Sequence, residues 1–245
     1  MRKKILSLCM VAALCGTAIV GGTLAYFTDT DAKANTFTTG DVAIELVENF
    51  GDNDPKTPEK LVPSTGSAQN GTLQNGITKE VSVKNTGSEK AYVRVHIAIP
   101  QLLDDGADTF DASANLLHFN FANDSVGEGK WDWSKTTGAE YTGDWNYYEQ
   151  EIDGVTYNVY VVTYGSALEN GAETPEKAMH QVYLDKDVTN QDITKLKEDL
   201  GDNWQILVLA EGAQEAGFEN AYDALNTAFG VPGEYELDWS NAVKQ

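Results

Sequence analysis

Residues 81–99 read VSVKNTGSEKAYVRVHIAI, and their pattern decides the fold class. Val81 and Val83 alternate with Ser82 and Lys84, and NTGSEK (85–90) then turns the chain. Beyond the turn, Val93, Val95, Ile97 and Ile99 share one face of an extended segment, with Tyr92, Arg94, His96 and Ala98 on the other. Apolar residues at a period of two mark half-buried antiparallel strands, because successive side chains point to opposite sides of a pleated sheet. His96, mid-strand on the polar row, reads as a solvent-facing residue rather than a metal ligand.

The same period recurs on both sides of this stretch. Val42, Ile44 and Leu46 alternate with Ala43, Glu45 and Val47, and Val155, Tyr157, Val159 and Val161 follow the turn dipeptide Asp153-Gly154. Ile206 to Leu209 reads as a short buried strand, and Tyr235, Leu237 and Trp239 form a last alternating set. Two helices interrupt. Residues 190–200 follow Thr189, an N-cap with Asp192 three positions on. EAGFENAYDALNTAFG (215–230) places Phe218, Tyr222, Leu225 and Phe229 in one apolar stripe suited to packing on a sheet, with Gly230 at C′ and Pro232 beyond it. Residues 51–76, 104–115 and 123–146 are rich in turn formers and read as loops. The expected fold is a jelly-roll-like antiparallel β-sandwich with two short helices in the C-terminal half.

The chain has 245 residues and a formal net charge of -21. That charge argues against nucleic acid and anionic lipid as partners, which need concentrated Lys and Arg. At the N-terminus, Arg2, Lys3 and Lys4 precede an apolar run from Ile5 to Ala25. This is the layout of an export signal, cut after Ala25 with Thr23 at the minus-three position and Tyr26 as the new first residue. The run is long enough for a retained anchor, but its Gly and Thr residues and the absence of a basic cluster after it favour cleavage. Lipidation at Cys15 is disfavoured by Leu14 before it. Cys9 and Cys15 both lie inside the signal, so the processed chain has no cysteine, and loss of three positive charges takes it from -21 to -24. The expected organisation is a signal peptide at 1–25 and a single jelly-roll domain at 26–245, with 26–39 as an N-terminal arm.

The residues offer no catalytic constellation. His96, His118 and His180 are scattered, without the His-Glu-x-x-His spacing that sets two ligands on one helical face. GDND (51–54) and DDGADTFD (104–111) lack the spacing of a calcium loop and read as solvated charge, with weak surface binding of calcium the most they offer. No Gly-x-Ser-x-Gly elbow or phosphate-cradling glycine loop is present. No cofactor is expected. Trp131, Trp133, Trp145, Tyr147 and Tyr148 could stack sugar rings if exposed. Trp131 and Trp133 alternate about Asp132 as strand residues do, which favours burial.

GGTLAYFTDTDAKANTFTTGDVAIEL (21–46) resembles the N-terminus of the TasA/camelysin family of secreted Gram-positive proteins processed by the signal peptidase SipW. The resemblance rests on the Gly-Gly-Thr exit, the Ala25 cut, the aromatic-Phe pair before Asp29, Asn35-x-Phe37-x-x-Gly40 and the alternating strand that follows. VSVKNTGSEKAYVRV (81–95) resembles the family's second block, a strand running into Asn-x-Gly and another strand. The match covers the first hundred residues; the central loops and 209–230 do not follow TasA closely. The resemblance implies a jelly-roll fold, export, and fibres of the cell surface or biofilm matrix in which the freed arm of one subunit adds as a strand to the next. Its partners would be further copies of itself, head to tail, or related matrix proteins, besides the signal peptidase. No stable membrane insertion would remain after cleavage. The assembly residues so implied are Tyr26, Phe27, Thr28, Asp29 and Phe37. The alternatives for 26–39 are an ordinary first strand paired within its own domain, or a flexible leader. Camelysins have been described as metalloproteases, but no zinc motif here matches. A metal-dependent peptidase and a carbohydrate-binding module stand as the competing classes.

Overall fold

The computed structural model describes residues 28–30, 41–50, 62–63, 76–104, 117–121, 129–133, 147–201 and 204–242. They form two antiparallel sheets packed face to face, the sandwich that the alternation predicts. The strands are β1 (Thr28–Thr30), β2 (Ile44–Phe50), β3 (Ile77–Asn85), β4 (Ala91–Pro100), β5 (Leu117–Phe121), β6 (Trp131–Asp132), β7 (Tyr147–Ile152), β8 (Val155–Tyr164), β9 (Met179–Leu184) and β10 (Leu207–Gln214). One sheet runs β1-β10-β4-β8-β6, with β7 also on β8; the other runs β2-β3-β9-β5. Val81, Val83, Val93, Val95, Ile97, Ile99, Val162, Val182 and Val208 fill the space between them.

β3 and β4 belong to different sheets. The NTGSEK turn is therefore an arch that carries the chain across the sandwich, not a hairpin within one sheet. By contrast, Asp153-Gly154 closes a true two-residue hairpin between β7 and β8, with both residues at positive φ (50° and 81°). That is the geometry whose twist matches the flanking strands.

Helix α1 (Asn190–Leu200) has the expected capping box between Thr189 and Asp192, and Leu196 and Ile193 press it onto the main core. Helix α2 (Ala221–Phe229) is shorter than the periodicity predicts. Gly217 takes φ 94°, and Asn220 caps the helix by accepting the Asp223 N–H. Phe218 therefore precedes the helix, though it still packs with Phe229 against Tyr92, Ala213 and Leu225. Gly230 ends α2 at φ 98°, as expected.

Three expectations are corrected. Tyr92, Arg94, His96 and Ala98 are buried, not solvent-facing, because α2 and residues 235–242 cover the outer face of β4. Ile206–Leu209 is part of a longer strand that continues through Glu211 and Gly212 to Gln214. Tyr235, Leu237 and Trp239 do not form a strand: Leu237 and Trp239 pack on the sheet face against Ala98, Tyr157 and Val159, and side-chain hydrogen bonds with Gln150 of β7 hold them there in place of a backbone ladder. Among the described residues no helix is long and apolar enough to cross a membrane.

Candidate functional site

The residues with most bearing on function meet along β10. On one side β10 pairs with β4, residue for residue from Leu207↔Ala98 to Gln214↔Ala91. On its other side it receives β1, with Thr28↔Ala213, Asp29↔Gly212 and Thr30↔Glu211. Two of the expected assembly residues, Thr28 and Asp29, thus lie on the edge of the sheet. Among the described residues no strand pairs with the remaining outer side of Leu207–Ala210. Such an edge presents backbone N–H and C=O groups that an extended segment can satisfy.

Gly212 is glycine because the facing sheet comes so close. A Cβ built there would stand 2.7 Å from Ile44 Cγ2, so the first residue of β2 closes directly over β10. The alternation of β10 divides its other residues between two environments. Val208 and Ala210 enter the main core, while Leu207, Leu209, Glu211 and Ala213 face outward under the C-terminal cover.

Glu211 anchors a polar network within that cover. Arg94 Nε donates to Glu211 Oε2 at 2.5 Å, and the guanidinium also donates to Asn226 Oδ1 (2.9 Å), the Gly230 carbonyl (3.2 Å) and Tyr235 Oη (2.7 Å). Tyr235 in turn donates to Glu211 at 2.9 Å. His96 Nε2 lies 3.0 Å from Glu211 Oε2, and its Nδ1 is buried with no hydrogen-bond partner among the described residues. Arg94, His96 and Glu211 are each no more than 2 % exposed. Burial drives the His96 pKa down and outweighs the opposing pull of Glu211. Burial alone would raise the Glu211 carboxyl, but its hydrogen bonds and the Arg94 guanidinium hold it well below the usual carboxylate range. The network joins β4, β10, α2 and the C-terminal segment. Its position between two apolar clusters of the cover marks it as a fastening of that cover.

His96 is therefore a buried partner of a carboxylate, with its Nε2–H donating to Glu211. What reverses the expectation is the covering by distant segments, which strand periodicity cannot reveal. His180 is half-buried, and the side chain of His118 lies outside the described residues. Among the described residues no group of three or more His, Cys, Asp or Glu is placed to hold a metal ion. Asp104, from the acidic loop, is buried and accepts from Tyr160 Oη (2.6 Å) and Asn158 Nδ2, so it serves packing. GDND (51–54) and the rest of 104–111 beyond Asp104 lie outside the described residues.

Trp131 and Trp133 are at most 1 % exposed, as the alternation about Asp132 favours. Trp131 stacks obliquely on Tyr164 at 5.2 Å, Trp133 on Tyr160 at 6.1 Å, and Tyr147 meets Tyr160 at 5.5 Å. Neither tryptophan offers a face to a sugar ring. Tyr148 is half-buried, and Trp145 lies outside the described residues. Thr23, Ala25 and Tyr26 at the expected cut, and Phe27 and Phe37 of the arm, also lie outside them.

The geometry defines an antiparallel β-sandwich whose N-terminal strand lies along one sheet edge. The model of the camelysin metallo-endopeptidase family matches residues 1–90, bearing out the resemblance to the TasA/camelysin family over that part of the chain. The match takes in the N-terminal segment, β1, β2, β3 and the arch turn. No curated protein and no solved structure matches the chain.

Proposed function

We propose that this chain is a secreted, non-enzymatic structural protein of the cell surface or biofilm matrix, which assembles head to tail by passing its processed N-terminal arm to the β10 edge of a neighbouring copy. The observation that carries the reading is the seat of β1. Three residues of the arm already lie antiparallel on β10. An arm seated on its own edge and one seated on a neighbour's edge make the same backbone hydrogen bonds, so exchange needs no new surface. What it costs is association entropy, and what it gains is an open-ended, heterologous contact that propagates. A three-residue strand contributes only a few hydrogen bonds, each worth about 0.5–1.5 kcal/mol net, so release from the home edge is within thermal reach.

Export and cleavage after Ala25 belong to the same reading. Before cleavage the apolar run from Ile5 to Ala25 leads directly into the arm, so processing would free the segment that assembles. The peptidase activity in the matched family's name is not carried to this chain, because neither the sequence spacing nor the described side chains supply a zinc ligand set. Electron microscopy of residues 26–245 beside a variant lacking 26–39 tests the proposal. Filaments from the first and none from the second are expected; filaments from both would refute the role of the arm.

A further inference from the structure

The NTGSEK arch does more than reverse direction. It grips the backbone of Asp41–Ala43, the three residues directly before β2. The Thr86 and Gly87 N–H groups both donate to the Ala43 carbonyl, at 2.7 and 2.9 Å. Those of Ser88 and Glu89 both donate to the Asp41 carbonyl, at 2.8 and 3.2 Å, and the Asp41 N–H returns a bond to Ser88 Oγ at 2.9 Å. Gly87 permits the approach: a Cβ there would lie 2.3 Å from the Asp41 oxygen and 2.5 Å from the Ala43 nitrogen.

The gripping turn is itself fixed. Asn85 is fully buried, and its Nδ2 donates to the carbonyls of Glu89 (2.7 Å) and Leu168 (2.9 Å) while its Oδ1 accepts from the Gly87 N–H (3.0 Å). Its backbone bonds Gly171 and Ala172. Val42, in the middle of the held segment, is buried. Five hydrogen bonds thus tie this three-residue segment to the arch of its own domain.

We propose that the Asn85–Ser88 turn is the fixed pivot of the N-terminal arm: Asp41–Ala43 remain bound to their own domain whichever molecule receives Thr28–Thr30. The second half of this statement rests on the strand-exchange reading; the grip itself does not. The pivot sets the length of the exchanging unit. From Tyr26 to Thr39, fourteen residues by their numbers in the sequence, the arm can extend at most about 50 Å, enough to reach an adjacent subunit without disturbing the sandwich. It also gives the Asn-x-Gly of the second family-like block a physical purpose, with Asn as the satisfied buried hub and Gly as the gap for the arm's root.

Hydrogen exchange by mass spectrometry on the full chain, expressed with its own N-terminal segment, tests the pivot in both soluble and assembled material. Protection of the Asp41, Thr86, Gly87, Ser88 and Glu89 amides is expected to be the same in the two. Exchange of these amides at the rate of an unstructured peptide in either state would overturn the proposal. Ser88→Ala removes the acceptor of the Asp41 N–H and should speed exchange of that amide roughly 2- to 10-fold, leaving β8 and β10 amides unchanged; no change at Asp41 would count against the grip. Gly87→Ala should strip protection from 41–43 and 86–89 together. If that variant does not fold, Ser88→Ala still decides the question. Protected pivot amides alongside a β1 that never leaves its own β10 would sink strand exchange and spare the pivot. Unprotected pivot amides alongside intermolecular β1–β10 pairing would do the reverse.

Discussion

Replacing Glu211 by alanine should be among the most damaging single changes in the sandwich. The substitution leaves Arg94 with the neutral acceptors Asn226, Gly230 and Tyr235 but without its carboxylate, at a site where Arg94 is 2 % exposed. Removing one partner of a buried ion pair costs about 3–5 kcal/mol, because the other charge stays buried and uncompensated. Against a total stability of about 5–15 kcal/mol, that is a fifth at the least. Urea unfolding can follow the loss, since Trp131, Trp133 and Trp239 are all buried and report the transition. With an m-value of about 2–3 kcal/mol/M, the midpoint should fall by roughly 1–2.5 M. The reverse substitution, Arg94→Met, should cost a similar amount. The double variant Arg94→Met/Glu211→Leu buries no charge, so it should be more stable than the sum of the single losses by about 2 kcal/mol or more. Additive losses, or a Glu211→Ala cost below about 1 kcal/mol, would refute the picture of a dry, mutually dependent pair beneath the C-terminal cover.

Other outcomes follow from the same geometry. His96 has a folded pKa below its ordinary 6.5, so the unfolded chain binds more protons below that pH and stability falls as the medium is acidified through it. His96→Gln should flatten the pH 5–7 dependence of the unfolding free energy, and an unchanged slope would show that His96 does not titrate this way. Glu211, with its folded pKa below 4.5, contributes stability that is present above that value and lost as pH falls beneath it. Gly212→Val should cost about 1–3 kcal/mol by overpacking against Ile44, measured by the same urea transition; a neutral result would mean the sheets do not meet there. Asn85→Ala should cost about 3 kcal/mol, since it orphans buried groups of the arch, and thermal unfolding checks it. In the proposed assembly, subunits processed after Ala25 would carry a charge near -24 and repel one another, so filament growth followed by light scattering should quicken as ionic strength rises; equal rates at low and high salt would remove charge as the control.

Where a local rule governs, the sequence was sufficient. The alternation of Val93 to Ile99, the Asp153-Gly154 hairpin and the Thr189 capping box each depend on residues within a few positions of one another, and each appears as read. What it could not disclose depends on contacts between distant segments. β5 and β9 lack a strong period: the M-H-Q-V-Y-L of β9 includes a register irregularity opposite β3. The burial of His96 and Arg94 is decided by α2 and residues 235–242, more than a hundred positions away. The difference between a hairpin and an arch at NTGSEK lies in which sheet each flanking strand joins, and alternation is blind to that. Of the candidate site, Thr28 and Asp29 were singled out from the resemblance, but Glu211, Gly212 and Ala213 as their seat were not. A glycine within a strand, as at Gly212, was the one signal that could have suggested a close approach.

Cysteines at Thr28 and Ala213 offer the most direct measurement. The two positions are opposite each other in the β1–β10 register, with antiparallel Cα separations of about 4.5–5.5 Å that a disulfide accepts. The chain's own cysteines, Cys9 and Cys15, both precede the expected cut, so no other thiol competes in processed material. On oxidation of assembled protein, the account predicts a ladder of covalent multimers on a non-reducing gel, collapsing to monomer with reductant. A single monomeric band, with the disulfide closed within one chain at every salt concentration and pH, would contradict it.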